Sequence, residues 1–424
     1  MSRETYERHK ILRICAQHLP FLLNLLVFYF AIYLGWATQG TNDAFMWESS
    51  ARLAVQIDGI DLYRNLVDVH KDGQLYYKEH FNHPPFMITF LRIIWQLSQA
   101  LEVPFVALFR SVIAFFHFVG FFFISGTTTF QQSPLISRAL IAIAPVPLLV
   151  AGFHANSDPM MICYLLASAW ALENRRSPVC AGILFGMALN TKLVALFFIP
   201  SLFFYLRGSK RLSCIGSMLI TAFLPWTPYL MTDPMVIITK TLGYASLTGI
   251  WGISFLGKGS FAYSIIEPYI RYVLAAIIVF VSWLANRYPA RPPLLIQWGF
   301  SIHLFLFLAP GFGIQYLAWL SPWLATMAPQ IIFYSYLCQG AFQILLYTFW
   351  SRGIPWDFAD SITSGPWNDL LISSQLAAWI SVGITLLAFT RKLYLMVRSS
   401  KQMTQTSEET IRSSDACNCK ISIL

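Results

Sequence analysis

The chain has 424 residues, of which 56% are hydrophobic and only 12% charged, against about 25% charged in soluble domains. That leaves too little polar surface to cover soluble globular units of this size, and no low-complexity stretch marks a disordered or fibrous chain. The net charge of +9 does not point to nucleic acid, because the basic residues sit at both ends and in short loops between apolar runs.

In chain order, the first apolar run covers 19–37 and follows Arg3, Arg8, Lys10 and Arg13. It exceeds the about 7–15 apolar residues of a secretory signal, so a retained anchor is expected. Further runs at 105–125, 269–285, 294–308 and 331–350 each approach the about 20 residues that cross hydrocarbon. They are continuous rather than alternating, which predicts helices and excludes barrel strands. The expected fold is an all-α polytopic bundle of about 11–13 transmembrane helices. Seven cysteines (Cys15, Cys163, Cys180, Cys214, Cys338, Cys417, Cys419) lack metal-ligand spacing. They are expected as packed thiols, with Cys417 and Cys419 as candidates for acylation.

The basic loops assign sides. The N-terminal tail, Arg175-Arg176, 207–211, 287–291 and 391–401 are expected to be cytoplasmic. Loops 38–83, 231–263 and 351–368 then lie on the other face, where long loops tend to carry function. The chain divides into a cytoplasmic tail (1–18), a first transmembrane module with its external loop (19–231), a second external loop with the C-terminal helices (232–396) and a polar tail (397–424). Between the first external loop and Asn156 lie three apolar stretches, 85–101, 105–125 and 140–152, where an even number of crossings is required. One of them must be non-spanning. Residues 182–206 leave one basic loop and return to another, so they form a hairpin bent at Asn190-Thr191-Lys192. Arms of about 13 residues reach only about 20 Å, which sets Lys192 inside a recess below the membrane surface.

Several residues around this face are candidates for chemistry. Asp43 follows the first span directly and precedes an expected interfacial helix at 44–57, with Glu48 and Arg52 at i,i+4 spacing. It is either the N-cap of that helix or a carboxylate at a cavity mouth suited to general-base work. His83 stands before Pro84-Pro85 as a loop residue or a phosphate or sugar contact. His154, Asn156 and Asp158 open a later span at Asp158-Pro159, a helix-start signal with more polar groups than a cap needs. Lys192 is costly in a membrane unless it pairs or meets water, and suits an anionic ligand. Gln315 and Tyr316 interrupt an apolar run beside the same compartment, and Lys258 is an external-loop cation. Gly182 and Gly186 suit close helix contact; Arg92 and Arg110 are expected to snorkel or to pair within the bundle, and His117 and His303 are expected to be packed.

The order of Asp43, Tyr63-Arg64, His83-Pro84-Pro85, Asp158, Ala181-Gly182…Gly186…Lys192 and Gln315-Tyr316-Leu317-Ala318-Trp319 resembles the GT-C superfamily of membrane glycosyltransferases. It is most similar to the bacterial branch that uses polyprenyl-phosphomannose. The stretch from Gln315 to Pro322 also resembles the catalytic subunits of GPI mannosyltransferase I. The resemblance implies a GT-C-like bundle in a bacterial plasma membrane, with its site facing the periplasm or exterior. It implies inverting transfer of a hexose, mannose favoured, from a polyprenyl-phosphate donor to a lipid or glycan acceptor. Asp43 takes the role of general base. By analogy with lipid A aminoarabinose transferases, Asn82-His83, Asp158 and Lys192 surround the lipid phosphate, although this chain has Asn-His where those enzymes carry a charged pair. Lys192, His83 and Lys258 are thus expected at the donor phosphate. Asn156, Asp158, His154, Gln315 and Tyr316 are expected at the sugar or acceptor. No Asp-x-Asp pair is present to hold a divalent ion; no metal ligand is assigned and no cofactor is expected, while some relatives need a divalent cation and polyprenyl-phosphate users often do not, so dependence on one stays open. A transporter or flippase, or a scaffolding membrane protein, are the alternative classes.

Overall fold

The computed structural model describes residues 3–243, 246–360 and 368–421, with side chains described for 18–243, 246–261, 263–360, 368–404 and 406. The side chains of Arg3, Arg8, Lys10, Arg13, Cys15, Cys417 and Cys419 lie outside those described, and so do the expectations placed on them.

Helix α1 (Arg3–Ala37) carries the first apolar run and ends at a short strand, β1 (Gly40–Thr41). Two helices follow, α2 (Asn42–Ala54) and α3 (Gly59–Arg64), then an antiparallel hairpin of β2 (Leu66–Lys71) and β3 (Gln74–His80). Sequence reasoning missed this hairpin. Its turn is Asp72-Gly73, with φ of 51° and 78°, as an Asp-Gly type I′ turn needs. Next come α4 (Pro85–Leu101), α5 (Phe105–Ser125), α6 (Thr128–Gln131), α7 (Leu135–Ala142), α8 (Pro145–Leu149) and a π-helical turn, Val150–His154. Helices α9 (Asp158–Glu173) and α10 (Pro178–Thr191) lead into a 3₁₀ segment, Leu193–Phe198, and α11 (Ile199–Tyr205). Then follow α12 (Gly208–Phe223), α13 (Thr227–Thr232), α14 (Pro234–Leu242), β4 (Leu247–Thr248), α15 (Gly252–Leu256), α16 (Phe261–Ala285) and α17 (Leu294–Leu308). Strand β5 (Gly311–Phe312), 3₁₀ turns Ile314–Trp319 and Ser321–Thr326, α18 (Pro329–Ser351), β6 (Phe358–Ala359) and α19 (Asp369–Ile421) complete the chain.

Strands occur only in three two-stranded pieces among the described residues, so backbone polar groups at membrane depth are satisfied within helices. Among the described residues, seven helical segments are long and apolar enough to cross a membrane: His18–Ala37, Phe105–Ser125, Leu135–His154, Gly208–Thr232, Tyr263–Ala285, Pro329–Ser351 and Asp369–Thr404. Shorter apolar arms, Pro178–Thr191, Leu193–Tyr205 and Leu294–Leu308, lie between them in the chain. The protein is an all-α, multi-pass membrane protein.

The odd crossing resolves at α4. Helix α5 runs antiparallel to α1: Trp36 at the end of α1 donates to Ser111 Oγ (3.0 Å), and Asn24 farther back donates to Phe118 O (3.3 Å). The start of α5 is therefore at the same end of the bundle as α2, and α4 never leaves that end. It packs along α2, and Arg92 donates to Ala54 O (2.6 Å) and Ile57 O (3.0 Å). Its buried positions, Met87, Ile88, Leu91, Ile94 and Ser98, form one stripe opposite Gln96 and Gln99, the pattern of a surface helix rather than a span. At α10 the small residues act in packing. A Cβ on Gly182 would stand 2.1 Å from Cys214 O, and one on Gly186 2.8 Å from Met218 O, so α10 and α12 approach closely.

Candidate functional site

The site is assembled where three chain segments meet tightly. Gly40 has φ +90°, and a Cβ there would lie 2.7 Å from Phe153 O, a position only glycine fits. Its strand pairs in parallel with β6. The Thr41 hydroxyl donates to His154 O (2.8 Å) instead of capping α2, although Thr41 holds the N-cap position. Asp43 is therefore not the cap but a first-turn acid, favourably placed at a helix N-terminus. Asp158 is likewise the first residue of α9, with Ser157 in the cap position. On the facing segment the π-turn ends at Ala155, a non-glycine residue in the left-handed region (φ 65°). Both features are uncommon and tend to concentrate at functional sites. Buried Arg110 secures the junction by donating to Thr38 O (2.5 Å) and Thr38 Oγ1 (3.1 Å).

These constraints bring distant polar residues into one hydrogen-bonded chain. Gln343 donates to the Tyr347 hydroxyl (3.0 Å), which bonds His154 Nδ1 (2.9 Å). His154 Nε2 meets Asp43 Oδ2 (3.1 Å), and Asn156 Nδ2 donates to the same oxygen (2.8 Å). Lys192 Nζ donates to Asn156 Oδ1 (3.0 Å) and to Asp158 Oδ1 (2.6 Å), which also accepts from Trp319 Nε1 (2.6 Å). Lys192 lies at the bend between α10 and the 3₁₀ segment, where the hairpin was expected to turn. Its ammonium stands 5.7 Å from the ring centroids of both Tyr316 and Trp319, which stack on each other at 4.1 Å. Exposure is greatest at Asp43. Asp158 is fully buried and the Lys192 and His154 side chains are 13% and 5% exposed, but Asp43 is 24% exposed. The cluster opens to solvent at Asp43.

Charge is tuned along with geometry. Burial alone would raise the Asp43 carboxyl, but the His154 imidazole, hydrogen bonds from His154 and Asn156 and the Lys192 charge outweigh it and hold it below the usual carboxylate value. Glu79, opposite Val67 in the hairpin, shares the face with buried Val67 and Val69 that packs on α2. Burial and then the Asp43 charge push its carboxyl up to about 7.

Not every candidate joins the cluster. His83 is buried, its ring 4.5 Å from that of Trp47 and tilted 40° to it, with no hydrogen bond to its side chain among the described contacts. Burial and the Lys192 charge push its imidazole down to about 3, so it is neutral and is not a second cation. Lys258 lines a separate hollow of about 500 Å³ with Thr248, Ser254, Ser260, Tyr263 and Glu267. Gln315 is half-buried, its amide folded over Gly313, and only its neighbour Tyr316 reaches Lys192. Sequence reasoning missed Tyr347, Glu79 and Trp319 as site residues. The first two carry no local signal, whereas Trp319 stands inside the motif already singled out. No group of His, Cys, Asp and Glu suited to a metal ion occurs among the described residues. No protein-family model matches the chain and no curated protein matches it, so its function rests on this cluster.

Proposed function

We propose that the protein is an inverting glycosyltransferase that moves a hexose, mannose favoured, from a polyprenyl-phosphate donor to a hydroxyl acceptor on the non-cytoplasmic face. One observation carries the proposal. A solvent-open carboxylate, Asp43, and a membrane-embedded ammonium, Lys192, share a single bridging side chain, Asn156. Transfer to an acceptor hydroxyl uses two such groups: a base on the acceptor side and a cation on the leaving-group side.

Asp43 is held ionised and has His154 and Asn156 on one oxygen, which leaves its other oxygen for the acceptor. The acceptor oxygen attacks the anomeric carbon from the face opposite the phosphate, and its proton passes to Asp43. As the new C–O bond forms, the anomeric carbon–phosphate oxygen bond breaks, and polyprenyl phosphate leaves with the electron pair. An ammonium has three N–H donors. Two of those on Lys192 bind Asn156 and Asp158, and the third is left for the departing phosphate. General-base assistance of this kind contributes about 10²- to 10⁴-fold. Asp158 and Trp319 position Lys192, and Tyr347 and His154 position Asp43.

The test is to incubate purified protein with radiolabelled polyprenyl-phosphate mannose, and with other sugars on the same carrier, in the presence of lipid acceptors. Asp43→Asn should abolish donor-dependent transfer while leaving membrane insertion unchanged. Full transfer by that variant, or no consumption of any polyprenyl-phosphate sugar by the unmodified protein, overturns the proposal.

A further inference from the structure

The opposite end of the bundle holds a second feature that this chemistry does not use. Helix α9 starts at Asp158 and ends at Glu173, about 24 Å away at 1.5 Å per residue. There the α9–α10 turn, the end of α11, the start of α12 and the α16–α17 loop enclose a hollow of about 730 Å³. Four cations line it: Arg176, Arg207, Lys210 and Arg291. Glu173 is its one lining carboxylate: it is hydrogen-bonded to the backbone of Thr128, its Oε2 is buried without a partner, and burial pushes its carboxyl up, towards the neutral form.

None of the four cations forms an ion pair among the described residues. Arg291 is the most informative. Its guanidinium donates to Tyr205 O, yet its Nε is buried without a hydrogen-bond partner. Burial and the charges of Arg207 and Arg211 hold it below its ordinary value. Like charges converge here around a donor with nothing to bind. Topology alone asks only that cations lie in loops on one side; it does not require them to face one cavity unpaired. An anion with several oxygens would satisfy the free donors and relieve the repulsion.

We infer that this hollow binds a phosphate group, and specifically the phosphate of an anionic phospholipid headgroup. Exposed apolar side chains, Val179, Phe203 and Leu212, lie within two positions of its lining residues in the chain. Acyl chains can therefore lie against the outside of the bundle while the headgroup enters, as in other basic pockets between membrane helices. The inference is independent of the glycosyltransferase proposal.

The experiment titrates the full-length protein in detergent with phosphatidylglycerol, with phosphatidylcholine of the same chain length, and with inorganic phosphate, reading bound ligand by native mass spectrometry. Arg176→Gln/Lys210→Gln is the primary variant, because both side chains are exposed and make no hydrogen bond or ion pair to the protein among the described contacts. Saturable binding of phosphatidylglycerol, absent with phosphatidylcholine and weakened about tenfold in the variant, is the expected result. Arg291→Gln should weaken it as well, with a control change at Arg398 having no effect. Equal binding of the two lipids, or an unchanged affinity in both variants, overturns the site. Inorganic phosphate binding as tightly as the lipid overturns the headgroup assignment.

Discussion

The two ends of the bundle treat charge in opposite ways. At the Asp43 end, four polar side chains partner one another. Asp43, Asn156, Lys192 and Asp158 form an unbroken hydrogen-bonded series, anchored at its flanks by His154 and Trp319. At the other end, Arg176, Arg207, Lys210 and Arg291 share a hollow and form no ion pair among the described residues. Paired groups in a rigid frame are preorganised, which is what catalysis by charge stabilisation requires. Unpaired cations around a void are what a ligand completes. The contrast gives each end its own expected response to substitution.

The largest effect should come from breaking the preorganised end at its solvent-open member. Asp43→Asn keeps the shape and the bond from Asn156 but cannot accept a proton, so kcat/KM for sugar transfer should fall by about 10²- to 10⁴-fold. Binding of phosphatidylglycerol at the far end should not change, and a loss there would show that the two ends are not separate. Next is Lys192→Ala. It leaves the fully buried Asp158 carboxylate with Trp319 as its one partner and with Oδ2 already unbonded. Removing one member of such a pair costs about 3–5 kcal/mol, seen as a large drop in thermal midpoint. Adding Asp158→Asn should restore much of the midpoint by neutralising the orphaned group, yet should not restore use of the phosphate donor. Recovery of both would mean that Lys192 only balances Asp158.

A smaller effect tests the frame rather than the charges. At Gly40, alanine would take a positive-φ conformation with its Cβ against Phe153 O. Strain of about 1–3 kcal/mol is expected, with the π-turn that carries His154 pushed away from Asp43. The readout is a moderate fall in midpoint together with a fall in kcat that exceeds any change in donor KM. Unchanged kcat would show that the site tolerates movement of this turn.

How much of this was legible in the sequence follows from the range of each interaction. The apolar runs, the hairpin turning at Lys192 and the acid directly after the first span are local features, so length and isolated charge reveal them. The identity of the non-spanning stretch was also available, because α4 carries a single apolar stripe with Arg92, Gln96 and Gln99 off it. The β2–β3 hairpin left its signature in Asp72-Gly73 between alternating residues. What stayed hidden is long-range. Trp319 reaches Asp158 and Tyr347 reaches His154 across 161 and 193 positions of sequence. The π-turn depends on packing of Gly152 against α1, where a Cβ would sit 2.7 Å from Ala31 O. His83 packs against Trp47 of another helix, a long-range contact that its residue type and the prolines after it do not announce.

The smallest expected effect concerns Glu79, which sets how the preorganised end responds to pH. Its carboxyl is pushed up to about 7 by burial and by the Asp43 charge, whereas Asp43 itself is held below its ordinary value. Asp43 is thus already ionised across the neutral range. As pH rises through about 7, Glu79 loses its proton and adds a negative charge beside a site that must admit an anionic phosphate. Donor KM should therefore increase with pH, by about threefold on the scale of one partly screened charge. Stability should fall as KM rises. A carboxyl whose folded value lies above its unfolded value binds the extra proton in the native state, so native stability declines between about 4.5 and about 7. Glu79→Gln should flatten both profiles and leave kcat at low pH near that of the unmodified protein. A KM step that persists in the variant would assign the titration to another group, and a kcat collapse at every pH would make Glu79 part of the reaction rather than a neighbour that tunes it.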